Sequence, residues 1–155
     1  MTLYEQLLDS ADKQNIIVKE KPLTDNDGLI CRNRIAIRSS LSTTKEKTCV
    51  LAEELGHYYT TAGDIIDLND ANNQKQELRA RVWGYNHLIG LAGLVQAFEH
   101  GCRNQYEMAE YLEITEEYLE EALKHFRSKY GVYTIFNRYV IYFEPYFSMA
   151  KLFND

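Results

Sequence analysis

Thr48-Cys49-Val50-Leu51-Ala52-Glu53-Glu54-Leu55-Gly56-His57-Tyr58-Tyr59 is the stretch whose reading decides the fold. Leu51, Leu55, Tyr58 and Ala62 recur at helical spacing, which predicts a helix over roughly 45–61 with one apolar stripe. The residues before it, Ser39 to Thr44, are polar and rich in capping types, and Thr43 or Thr44 can accept a free N–H of the first turn. Gly63 is placed to end the helix as a C-cap glycine. Away from the apolar stripe, Glu53 and His57 stand four residues apart, one above the other, and Glu54 borders the same face.

Outward from this helix the pattern alternates between short strands and helices. Upstream, Leu3 to Asp12 has Leu3, Leu7, Leu8 and Ala11 on one face, an amphipathic helix. Asn15 to Glu20 is a β-branched strand candidate. After the turn-rich loop Pro22 to Gly28, Leu29–Cys31 and Arg34–Arg38 read as a hairpin around Arg32-Asn33, with Ile35 and Ile37 on one side. Downstream, the acidic, Asn-rich loop from Asp64 to Gln74 leads to a second helix, about 74–91, with a stripe of Leu78, Val82, Tyr85 and Ile89. Gly84 in its middle costs ~1 kcal/mol against Ala and suits a close approach of another backbone. Ala92–Cys102 continues as helix. Gln105–Leu112 and a helix starting at Thr115 and stopping at Gly131 follow. Val132–Phe136 and Tyr139–Phe143 flank Asn137-Arg138 as a last hairpin, closed by Pro145. The expected fold class is therefore α+β: mainly helical, with a small N-terminal antiparallel sheet and a C-terminal β-hairpin. One domain over 1–155 is expected, with a motif-bearing core at 1–95 and a helical pair plus hairpin at 103–155.

Composition narrows the function classes. The chain has 155 residues, 45% hydrophobic and 26% charged, which suits a globular domain. Twelve Tyr and two Pro oppose disorder. A net charge of −6 opposes non-specific nucleic-acid binding, which needs a basic footprint. No apolar run is long enough to span a membrane, and Met1–Glu5 lacks the basic start of a signal peptide. Cys31, Cys49 and Cys102 form neither a disulfide framework nor a CxxC site. The expected compartment is a reducing cytoplasm.

The chemistry concentrates on Glu53-Glu54-Leu55-Gly56-His57. In H-E-x-x-H, two His hold Zn²⁺ and the Glu handles the attacking water. Here the first position is Glu53. Glu53 and His57 can reach one ion, and Glu54 has the place of a base beside a metal-bound water. A third ligand is expected from Glu77, 20 residues after His57 near the start of the second helix, with Arg79 and Arg81 beside it to hold it or balance its charge. Asp64 and Asp67 are the fallback carboxylates. A Glu/His/Glu set is harder than His₂Glu, so Zn²⁺ is joined by Mn²⁺ or another divalent ion as the candidate cofactor. By itself the pattern E-E-x-x-H also fits an ordinary solvated helix face, and Glu77–Arg81 an ordinary surface pair.

Cys49–Thr61 and Lys75–Tyr85 resemble the two motif helices of the ImmA/IrrE family of metallopeptidases, which pair an HELGH-type helix with a downstream Glu-bearing helix. Met108–Leu123 is similar to helical tails of phage-borne members. The resemblance implies a zincin-type domain with His57 and Glu77 at ligand positions, Glu54 at the base position, and Glu53 where the family usually has His. It further implies a cytoplasmic protein of a phage or mobile element that cleaves a helix-turn-helix repressor.

The expected function is accordingly metal-dependent proteolysis of such a repressor. The alternative is a catalytically inactive relic of the same fold that binds a repressor or another protein. Tyr106–Leu123 itself has a helix-turn-helix outline, but its second helix opens Thr115-Glu116-Glu117 and is too acidic to read DNA. His87, His100 and His125 have no partner at metal spacing and read as ordinary histidines. Direct nucleic-acid and membrane contacts are not expected.

Overall fold

The computed structural model describes residues 1–61 and 70–152. The order of elements is α1 (Leu3–Lys13), β1 (Ile17–Lys21), β2 (Gly28–Cys31), β3 (Arg34–Arg38), α2 (Thr44–Thr60), α3 (Asp70–Leu88), α4 (Gly90–His100), α5 (Gln105–Leu112), α6 (Glu116–Tyr130), β4 (Tyr133–Phe136), β5 (Tyr139–Tyr142) and β6 (Ser148–Lys151). This is an α+β architecture. The chain gathers into two compact units, Met1–Leu88 and Ile89–Asp155. None of the described helices is long and apolar enough to cross a membrane.

In the first unit β3 is the central strand of a three-stranded sheet in the order β1-β3-β2. Ile35 and Ile37 are buried, as the alternation predicts, because side chains two apart share a face. The β2–β3 hairpin is antiparallel. β1, however, runs parallel to β3, pairing Ile17 with Arg34 and Lys21 with Arg38, so the sheet is mixed rather than antiparallel. The physical reason lies at the ends of β1. Ile17 N–H donates to the Asn33 carbonyl, and Asn33 Nδ2 donates to the Asn15 carbonyl at 2.9 Å, which ties the hairpin turn to the start of β1. Arg38 holds the other end by donating to the carbonyls of Thr24 (2.8 Å) and Asn26 (3.3 Å), which fastens the turn-rich loop before β2.

α2 packs on this sheet through β2 and β3 and on α1. Thr43 is its N-cap: the Thr43 hydroxyl accepts from Glu46 N–H at 3.1 Å. Thr43→Ala is expected to cost about 1 kcal/mol, read as a lower urea midpoint with an unchanged slope. Lys47 reaches Glu20 of β1 at 2.6 Å, and Glu20 also accepts from the Tyr4 hydroxyl of α1 at 3.3 Å. α2 is closed at Thr61. Ala62, Gly63, Asp64 and Asp67, which the sequence reading used, lie outside the described residues.

Among the described residues, the most extensive helix packing is that of α2 on α3. Its seam differs from the expected one. Tyr85 and Ile89 of the expected stripe are buried, but Leu78 is 52% exposed, and Ala80, Gly84 and Leu88 are buried as well. Small residues take the seam because the two backbones almost touch. A Cβ on Gly56 would meet the Ala80 carbonyl oxygen, with the Ala80 carbonyl carbon at 2.8 Å and Cα at 2.9 Å. The Gly in the motif helix is what lets α3 come this near.

The second unit is built on α4, α5 and α6, with Leu94, Ala97, Met108, Ala109, Ile114, Leu119, Phe126 and Ile141 buried. Asn104 and Thr115 cap α5 and α6, and Glu113 in the left-handed region makes the turn between them. The expected terminal hairpin is present as β4–β5, and β6 adds a third antiparallel strand.

Candidate metal centre

The centre is set by two helices and one strand. α2 carries Glu53, Glu54 and His57; α3 carries Glu77; β2 lies over Glu54. Glu53 and His57 come together because they are one helical turn apart. Glu77 joins them because the Gly56–Ala80 contact, one residue from His57 and three from Glu77, brings α3 against α2 there. One ligand atom from each of Glu53, His57 and Glu77 lies within 4.8 Å of the other two. His57 Nε2 and Glu77 Oε1 are 3.3 Å apart. The His57 side chain is 17% exposed and that of Glu77 50%, so the group opens toward solvent on the α3 side. The ion-pair partner of Glu77 is His57, while Arg79 and Arg81 are exposed.

Glu54 is turned inward, 9% exposed. Burial pushes its carboxyl up to about 7, and the negative charges of Glu53 and Glu77 push the same way. A carboxyl with that proton affinity exchanges protons near neutral pH, which an ordinary surface Glu does not. Gly28, the first residue of β2, leaves it room. A Cβ there would stand 2.7 Å from Val50 Cγ1, 2.9 Å from Glu54 Cγ and 3.0 Å from Glu54 Oε1.

Beyond the centre the helix pair is closed by rings. Tyr59 stacks on Trp83 at 5.1 Å, and Trp83 on His87 at 4.5 Å. His87 is thereby occupied as a stacking partner, and burial lowers its proton affinity. His100 stacks on Tyr111 in the second unit at 4.5 Å. Among the described residues, the group suited to a metal ion is Glu53, His57 and Glu77.

Two contributors escaped the sequence reading. In the sequence Gly28 ends the turn-rich loop, and Gly56 has no role assigned to it beyond its place in the motif. A glycine inside a helix, where it costs ~1 kcal/mol, is the one local signal that could have flagged Gly56. Gly84, which the sequence also marks as suited to a close approach, is buried on α3.

The donors fit a divalent cation: two carboxylates and an imidazole, mutually in reach, with a protonatable carboxyl beside them. No curated protein matches the chain, and no solved structure matches it. The family model of the M78 peptidases, described as the IrrE N-terminal-like domain, matches residues 11–124, a span that contains α2, α3 and the whole centre. The chain belongs to the IrrE N-terminal-like domain family of M78 peptidases.

Proposed function

We propose that the protein is a metal-dependent peptidase whose substrate is a helix-turn-helix repressor, acting in the cytoplasm. The observation that carries the chemistry is the approach of Glu53, His57 and Glu77 to within 4.8 Å beside a buried carboxyl. The substrate assignment rests on the resemblance to the ImmA/IrrE family.

In this reading Glu53, His57 and Glu77 hold the ion. When bound, a divalent ion supplies Lewis acidity toward a carbonyl and lowers the pKa of water. Glu54 takes the proton from the attacking water and returns it to the departing amine. Its raised proton affinity favours the second half of that task, and its burial keeps it in one place. The α2–α3 seam fixes the distance between His57 and Glu77. Gly28 lets the β2 backbone lie close over the Glu54 and Val50 side chains, where a Cβ would collide with both.

A second reading, a non-catalytic member that binds its repressor, is favoured by one feature. Glu77 reaches His57 directly at 3.3 Å, so the pair is satisfied as an ion pair whenever His57 is protonated. The two readings separate on metal content. Protein purified without a His-tag is expected to bind one divalent ion, and His57→Ala or Glu77→Ala to weaken binding by about tenfold or more, measured by calorimetry. Cleavage of the repressor should fall with it. Absence of binding in the parent protein, together with intact repressor after incubation, favours the non-catalytic reading.

A further inference from the structure

The donors assembled here are not those of a zinc peptidase with two imidazoles and one carboxylate. Glu53 stands with the other candidate ligands: a carboxylate oxygen lies within 4.8 Å of the His57 and Glu77 donor atoms. A second imidazole is not at hand to restore the set. The chain has four His. His57 is in the group already, His87 is stacked on Trp83, His100 is stacked on Tyr111, and His125 lies beside Phe126 on α6. Among the described residues the cluster therefore offers two oxygens and one nitrogen.

Such a set is harder than His₂Glu and carries one more negative charge. Carboxylate and water suit Mn²⁺ and Mg²⁺, while imidazole and thiolate suit Zn²⁺. Openness points the same way. Half of the Glu77 side chain is exposed, so water can reach the ion from that side, and ions that keep several waters are favoured by such access. The geometry points to a centre whose preference among divalent ions is shifted from Zn²⁺ toward an oxygen-preferring ion of the Mn²⁺ type, with Glu53 as the residue that sets this shift. This inference rests on the proposed reading of Glu53, His57 and Glu77 as ligands.

The test uses the full chain without a His-tag, stripped with a chelator. Mn²⁺ binding is followed by loss of the free aquo-Mn²⁺ electron paramagnetic resonance signal, and Zn²⁺ binding by competition with a chromophoric chelator. The ratio of Zn²⁺ to Mn²⁺ affinity is expected to rise by about tenfold or more on going from the parent protein to Glu53→His. Glu53→Gln, which keeps the size and removes the charge, is expected to lose Mn²⁺ affinity more than Zn²⁺ affinity, and it serves where Glu53→His does not fold. An affinity ratio unchanged by either substitution overturns the inference and leaves the metal reading standing. Binding of neither ion, or binding indifferent to His57→Ala, overturns the metal reading itself and the inference with it.

Discussion

Gly56→Ala is expected to destabilise the first unit and to part the two halves of the candidate metal centre. On propensity alone the change helps, since Ala is better than Gly inside a helix by ~1 kcal/mol. Packing opposes it more strongly. The new methyl would lie against the Ala80 carbonyl group and within 2.9 Å of Ala80 Cα. These are backbone atoms of a helix, so no side-chain rotation relieves the contact. Overpacking a well-filled seam costs about 3 kcal/mol when the neighbours cannot yield, so a net loss of about 2 kcal/mol or more is expected. The urea midpoint should drop accordingly, with Ala80→Gly recovering part of it. A separate readout follows from geometry. α3 has to move away from α2, and Glu77 moves with it, so metal affinity should fall even in conditions where the variant is fully folded. An unchanged midpoint and unchanged metal affinity would refute the seam described here.

Glu54→Gln should have two effects of opposite sign. Cleavage should fall by about 10²–10⁴-fold, the usual worth of a positioned acid–base group, while metal affinity stays close to that of the parent. Stability of the metal-free protein should rise at neutral and alkaline pH. The folded-state proton affinity of Glu54 is raised above the ordinary carboxylate value, to about 7. Folding is therefore easiest with Glu54 protonated. Its favourable contribution is fully present below the ordinary range and is lost as pH climbs through about 7. The shift corresponds to a penalty on the order of 3 kcal/mol at pH 8, which a neutral Gln does not incur. Thermal unfolding of both proteins at pH 4 and pH 8 checks this: the curves should nearly coincide at the lower pH and separate at the higher. A variant no more stable than the parent at pH 8 would show that Glu54 is not buried as a carboxyl.

Much of the architecture could be read locally. The Thr43 cap, the Ile35/Ile37 alternation, the Arg32-Asn33 turn and the α5–turn–α6 outline each depend on neighbours in sequence. Glu53 and His57 were legible for the same reason, because one helical turn fixes their relation. Other features depend on partners far along the chain. The parallel pairing of β1 with β3 follows from where Asn15 and Asn33 meet, which no periodicity records. β6 went unseen because Ser148-Met149-Ala150-Lys151 lacks the β-branched residues that mark a strand, and takes its shape from β5. Leu78 carries the hydrophobicity of a buried stripe and is 52% exposed, and it is Ala80 that meets Gly56 of α2. Close backbone contact selects small side chains there, and an apolar period cannot distinguish it from ordinary core.

The ring stack on α2 and α3 turns the chain into its own optical gauge. Trp83 is the sole tryptophan. It stands against Tyr59 from the facing helix and His87 from its own. Intrinsic emission excited at the red edge thus comes from one place, the α2–α3 contact, and the second unit is silent in that channel. Protonation of His87, displaced below the usual imidazole range by burial, should quench that emission in acid. Loosening of the helix pair should release the quenching and shift the band to longer wavelength. A fluorimeter can thereby follow the pair that carries the candidate metal centre, without a label and apart from the rest of the molecule.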